Sequence, residues 1–216
     1  MSHPCDFRAR PWAVIPAKSL REGKTRLAPI LDGAAREHLN REFLTRTVHI
    51  ARQLEELEGV VVVSPDEAAR TLARELGAVA LAEGEPAGLN QALARAAAWV
   101  AARGATHVMT ISTDLPWLSS GDLRALLERA LAAPGPSVTI APDQAGQGTN
   151  VMVVTPAGVI TYAYGRDSFE RHRASARAAG ARLACVRRPP LLFDIDSPED
   201  LRRWRARHGP EPVVTA

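Results

Sequence analysis

Three aspartates and two lysines carry the chemical interest of this 216-residue chain. Asp194 and Asp196 stand two apart in LLFDIDSPEDL, so an extended segment points both carboxylates to one face. Paired carboxylates on one face ask for a divalent cation. Oxygen-only ligands point to magnesium, which combines a few carboxylates with phosphate oxygens and water. Asp114 stands in TDLPWL, where the apolar run HVMTIS ends. A carboxylate there is costly unless a cation or donors meet it. It can ligate the same metal or cap a following turn. Asp196 has a similar alternative as cap of the last helix, although Ser197 is well placed for that role.

Lys18 and Lys24 are the two lysines among 27 lysines and arginines, and both lie in PAKSLREGKTRLAP. This stretch contains neither the phosphate loop GxxxxGK[ST] nor the dinucleotide fingerprint GxGxxG. Between Ala17 and Leu27 it offers a glycine, two lysines, two arginines and two hydroxyls, a composition suited to wrapping a polyphosphate with backbone amides and point charges. A lysine ammonium is a compact charge on a flexible stem, which a planar guanidinium does not replace.

Two further loops could bind an anion. PDQAGQGTN, residues 142–150, can bring its backbone against a ligand, and Thr149 and Asn150 close it with hydrogen-bonding groups. YGRDSFERHR, residues 164–173, sets Gly165 and then Ser168 at a helix start, with Arg166 and Arg171 nearby. It reads as a helix N-terminal anion site or as an ordinary capped helix.

The elements that must position these groups alternate between strand and helix. Strand-like runs occupy residues 12–17, 59–65, 78–82, 106–112, 136–142, 149–154 and 182–186. Helical patterns fill residues 33–57, 66–77, 89–104, 119–135 and 197–209, several of them closed by glycine or opened by serine. The first sets Leu39, Phe43, Val48, Ile50 and Leu54 on a roughly helical stripe. Such alternation predicts an α/β fold, a Rossmann-like, mostly parallel sheet with helices on both faces, and ligands outside the carboxyl ends of its strands. Residues 136–154 hold two strands with no helix between them, which predicts an antiparallel excursion.

Composition narrows the function classes. Nearly half the residues are apolar and about a quarter charged, as in a soluble enzyme. One domain over residues 1–216 is expected, with residues 1–11 and 209–216 flexible. No apolar run approaches the roughly 20 residues of a membrane span and no signal-peptide core is visible, so a cytoplasmic protein is expected. The net charge of +3 comes from arginines dispersed among glutamates, which argues against a nucleic-acid partner. The two cysteines give neither a disulfide framework nor metal-ligand spacing, and Cys185 reads as core packing.

Taken in order, PAKSLREGKTRLAP, GLNQAL, STDLPWL, PDQAGQGTNVM, YGRDSFERH and DIDSPEDL resemble the 2-phospho-L-lactate guanylyltransferase family of coenzyme F-420 biosynthesis, from about Trp12 to Trp204. The resemblance implies a fold of the nucleotide-diphosphosugar transferase type and transfer of GMP from GTP to a phosphorylated three-carbon acid with release of diphosphate. That acid is 2-phospho-L-lactate, phosphoenolpyruvate or 3-phospho-D-glycerate. It implies Asp114, Asp194 and Asp196 as ligands of Mg2+, and Lys18, Lys24 and Arg26 around the triphosphate. Lys18, Lys24 and Asp114 would form the catalytic group, with Asn90 near the guanine. Thr149, Gly165 and Ser168 would face the acceptor. By analogy a homodimer is expected. The sequence departs from the family at Ile15, Gln147 and Tyr164, near the acceptor pocket, which leaves acceptor identity open. Two alternatives are a nucleotidyltransferase for a sugar phosphate or a molybdenum cofactor, whose glycine-rich opening is replaced here by PAK, and a non-catalytic nucleotide-binding regulatory domain, which would not need all three aspartates.

Overall fold

The computed structural model describes residues 10–132 and 134–208. The tail expected to be flexible after residue 208, residues 1–9 and Cys5 lie outside the described residues. Seven strands form one sheet: β1 (Pro11–Pro16), β2 (Gly59–Ser64), β3 (Val79–Ala82), β4 (His107–Ile111), β5 (Ser137–Pro142), β6 (Thr149–Thr155) and β7 (Arg182–Cys185). Pro11, expected within the flexible N-terminal part, belongs to β1. The spatial order is β3-β2-β1-β4-β6-β5-β7. Every pairing is parallel except those of β6, which runs antiparallel to both β4 and β5 and is the excursion expected from its sequence.

The central strands are largely apolar runs rich in β-branched residues because both of their faces are covered. In β1, Ala13 and Ile15 face a core built with α1 (Gly33–Arg52), α2 (Glu67–Glu75), α4 (Ser120–Leu131) and the short α6 (Pro189–Leu192). Val14 faces the opposite core, under α3 (Leu89–Ala101) and α5 (Ser168–Ala178). Each helix carries its own start signal. Asp32 and Asp66 cap α1 and α2, and Ser119 forms a reciprocal capping box with Asp122 on α4. The expected stripe on α1 is buried, but the helix ends at Arg52, so Leu54 packs from the following turn. No helix among the described residues is long and apolar enough to cross a membrane.

A third, smaller core lies beneath the carboxyl ends of the strands. It joins Leu39 and Phe43 of α1 to Leu27, Phe193, Ile195 and, from α7 (Pro198–His208), Leu201 and Trp204. Burying such a side chain contributes roughly 1.5–3 kcal/mol. The cluster therefore anchors the segments that carry Lys24, Asp194 and Asp196.

Two local features differ from the sequence expectations. Cys185 is exposed and not a core residue, because β7 is the edge strand and Ala184 takes the inward position. Between β5 and β6, Ala141 pairs with Val151 whereas Pro142 pairs with Thr149. Asn150 is thus the extra residue of a β-bulge at the end of the sheet where β1 and β4 deliver their carboxyl ends.

Candidate active site

The acidic group assembles through backbone geometry. The Ile195 amide donates to the Asp114 carbonyl oxygen at 3.1 Å, docking the segment before α7 on the loop after β4. Trp117 stacks on Phe193 with ring centroids 4.2 Å apart, which fixes the same two segments side by side. Phe193 and Ile195 point into the small core, so the alternation of an extended chain turns Asp194 and Asp196 outward together. One carboxylate oxygen from each of Asp114, Asp194 and Asp196 then lies within 4.8 Å of the others. Ser197, not Asp196, caps α7: the Asp200 amide donates to its hydroxyl and that hydroxyl donates back to Asp200. Asp196 is left to the cluster.

Burial, and then the charges of Asp114 and Asp196, push the Asp194 carboxyl up to about 7. A site that resists holding three negative charges is one that a cation completes. The donor set is oxygen-only, the carboxylates converge, and the neighbouring surface is basic enough to bring phosphates; the residues fit a hard divalent ion such as magnesium.

Lys24 already meets part of that charge. Its Nζ donates to Asp114 Oδ2 at 2.6 Å, to Asp196 Oδ1 at 3.3 Å and to the Ile195 carbonyl. Burial disfavours its ammonium, but the Asp114 and Asp196 carboxylates outweigh it and hold Lys24 above the usual lysine range. Its backbone is left-handed, with φ of 56°, a conformation uncommon outside glycine that persists where the surroundings over-determine it. Arg26 sits at the rim, 3.3 Å from Asp196. Lys18 is exposed and makes no side-chain hydrogen bond or ion pair among the described residues. The two lysines therefore divide: Lys24 is engaged with carboxylates and Lys18 is available to a phosphate.

The lysine loop is held from three directions that its own sequence does not reveal. The Leu20 amide donates to Asp66 Oδ2 at 2.8 Å, while the other oxygen of Asp66 caps α2. Asn40 of α1 donates to the Leu20 carbonyl at 2.8 Å, and Arg36 donates to the Gly23 carbonyl at 3.3 Å. A Cβ on Gly23 would stand 2.6 Å from the Asn40 amide nitrogen, so a side chain there would push Asn40 off the Leu20 carbonyl.

The expected acceptor residues also converge. The Ser168 amide donates to the Gly165 carbonyl, and the Ser168 hydroxyl lies 3.4 Å from Thr149 Oγ1. Gly165 has φ of 119°, which only glycine adopts without strain. Loop 142–150 reaches this group because Gln147 accepts from the Phe169 amide. Asn150, next to Thr149, donates to the carbonyls of Leu191 and Leu192, two residues short of Asp194, so the bulge joins the acceptor group to the segment that carries the acidic group. Asn90, expected near the guanine, lies half-buried in the first turn of α3. Both ends of its amide pair with the Tyr164 backbone, accepting from the amide at 2.7 Å and donating to the carbonyl at 3.1 Å. These bonds tie the N-terminus of α3 to the segment that carries Gly165 and leave the amide one further donor and one further lone pair.

Residues 12–210 match the family described as guanylyl transferase CofC like. The chain is 40% identical to a phosphoenolpyruvate guanylyltransferase of Rubrobacter xylanophilus, over 92% of this chain and 95% of that protein. A phosphoenolpyruvate guanylyltransferase of Sphaerobacter thermophilus is 34% identical, over 92% and 93%. Among solved structures, a putative nucleotide-diphospho-sugar transferase from Desulfovibrio desulfuricans superposes with a TM-score of 0.76 at 15% identity, covering 94% of this chain and 89% of that one. The 4-diphosphocytidyl-2C-methyl-D-erythritol synthase of Anaerococcus prevotii gives 0.63 at 10%, covering 94% and 97%. These two likenesses show the fold: both proteins superpose on nearly the whole of this chain. The chain is an enzyme of the nucleotidyltransferase type and belongs to the CofC-like guanylyl transferase family.

Proposed function

We propose that this protein, acting as one cytoplasmic domain, transfers GMP from GTP to a phosphorylated three-carbon acid and releases diphosphate, as a step of coenzyme F-420 biosynthesis. Phosphoenolpyruvate is the favoured acceptor, because the relatives that match over nine-tenths of the chain bear that name. The observation that carries the reading is the convergence of Asp114, Asp194 and Asp196, two of them meeting the Lys24 ammonium, one bulge away from Thr149 and Ser168.

An oxygen of the acceptor phosphate attacks the α-phosphorus of GTP, a new P–O bond forms there, and the bond to the β-phosphate oxygen breaks. That nucleophile is ionised at neutral pH, so no general base is needed and the protein's work is alignment and charge neutralisation. Magnesium, held by Asp114, Asp194 and Asp196, would supply charge neutralisation and alignment of the phosphate oxygens. Lys18 and the amides of the tethered loop bind the triphosphate, with Arg26 at the rim. Thr149 and the backbone at Gly165 meet the acid, and Ser168 completes this subsite by donating to Thr149. Lys24 holds Asp114 and Asp196 in position.

Diphosphate release tests this directly, with GTP, magnesium and each of phosphoenolpyruvate, 2-phospho-L-lactate and 3-phospho-D-glycerate in parallel, and ATP and CTP as controls. Release with GTP and phosphoenolpyruvate is expected. Silence with all three acids while GTP still binds, or equal turnover of ATP, refutes the reading.

A further inference from the structure

His172 is polar, lies on α5 and has no exposed surface, yet nothing in the reaction above uses it. Both of its ring nitrogens are engaged. Nε2 is 2.9 Å from the Ala163 backbone nitrogen and Nδ1 is 3.0 Å from Thr149 Oγ1. A backbone N–H can only donate, so Nε2 must present its lone pair. A neutral imidazole then carries its proton on Nδ1, directed at the Thr149 oxygen. Burial, followed by the nearby charge of Arg171, keeps the ring neutral by lowering it to about 4. The edge of Tyr164, 4.9 Å away between ring centroids, leaves the imidazole little freedom to turn.

The Thr149 hydroxyl therefore receives a proton from His172 and, at 3.4 Å, a second from the Ser168 hydroxyl. An oxygen whose two lone pairs are taken from the protein side can meet a ligand only through its own proton. Thr149 is β-branched and opens β6 at the bulge, so its χ1 is stiff as well. We propose that His172 is a positioning residue that makes Thr149 an obligate donor, so that the acceptor subsite takes an ionised oxygen of the substrate at this point in preference to a hydroxyl or amine. An ionised oxygen makes the stronger hydrogen bond to such a donor. The inference rests on the acceptor subsite proposed above.

Two substitutions separate this role from simple support. In His172→Asn the side-chain amide nitrogen falls near the position of Nδ1 and can still donate to Thr149, while the Ala163 amide loses its partner. In His172→Gln the terminal oxygen falls near the position of Nε2 and can still accept from Ala163, while Thr149 loses its donor. Diphosphate release gives KM for GTP and for the acid separately, and the nitrogen-15 spectrum of the imidazole in the wild-type protein reports the tautomer. The expected result is a ring protonated at Nδ1. His172→Gln should raise the KM for the acid about tenfold, the usual size for one well-placed hydrogen bond, with little change for GTP. His172→Asn should stay within about threefold of wild type, and the double variant His172→Gln/Thr149→Val should be no worse than Thr149→Val alone. Equal acid KM values for the two His172 variants, a matching rise in the KM for GTP, or a proton on Nε2 would overturn the proposal. Wild-type silence with every phosphorylated acid instead refutes the functional reading and with it the substrate half of this inference, while the ring spectrum still decides the tautomer.

Discussion

Replacing Lys24 by methionine keeps an unbranched stem of similar length and removes the charge that Asp114 and Asp196 share. Breaking a buried ion pair by deleting one partner costs about 3–5 kcal/mol, because the other charge is stranded. Here the side chains of Lys24 and Asp114 retain 11% and 22% exposure, Asp196 retains 50%, and Asp194 can relieve the repulsion by keeping its proton. The expected cost in metal-free buffer is therefore lower, about 2–3 kcal/mol. For a chain of this size that corresponds to a fall in Tm of about 4–12 °C. Magnesium should then raise the Tm of Lys24→Met by more than it raises that of the wild type, since the carboxylates no longer share their charge with an ammonium. Differential scanning fluorimetry with a chelator and across a magnesium titration measures both quantities, and Lys18→Met provides the exposed control. A Tm within about 1 °C of wild type without metal, together with an unchanged magnesium response, would show that Lys24 does not balance the acidic group.

Other perturbations test the supporting contacts. Asp66→Ala removes the cap of α2 and frees the Leu20 amide, so it should cost about 1–2 kcal/mol and raise the KM for GTP while sparing the KM for the acid; a matching rise in both would refute its assignment to the lysine loop. Gly165→Ala meets no atom within 4 Å but must adopt a φ of 119°, so its penalty of about 1–3 kcal/mol is conformational, and the KM for the acid should rise; a wild-type melting curve would refute the strain. His172 is held neutral down to about 4 in the fold, against about 6.5 in an unfolded chain. The unfolded state binds the extra proton between those values, so this contribution is complete above about pH 6.5 and lost as pH falls toward 4. The loss amounts to about 3 kcal/mol, and urea titrations at the two ends of that window should show a shallower pH slope for His172→Gln than for wild type. Parallel slopes would sink the assignment.

The β-branched runs of β2, β4, β5 and β6 made the strands legible to within a residue or so, because burial on both faces leaves little room for other residue types. The pairing of Asp194 with Asp196 was legible for a similar reason: Phe193 and Ile195 mark the inward face, so the acids must take the other. What stayed hidden was long-range. Asp66 could be read as a cap from its place before α2, but its second oxygen meets an amide 46 positions away. His172 lies on a helix face like many core histidines, and only the fold brings Thr149 and Ala163 to its two nitrogens. The motif around Asn90 did not disclose that Tyr164, 74 positions on, pairs with both ends of its amide. Cys185 looked internal because apolar neighbours do not disclose which strand will form an edge.

The bulge at Asn150 sets local order against chemistry. Deleting that one residue would let Thr149 follow Val151 into an unbroken antiparallel ladder, and the sheet would become more regular. It would also remove the side chain that holds Leu191 and Leu192, just ahead of Asp194, to the strand that presents Thr149. Selection for a stiffer sheet and selection for turnover thus favour different chain lengths at this corner. A stabilised variant found by melting temperature alone would be expected to lose its activity here first.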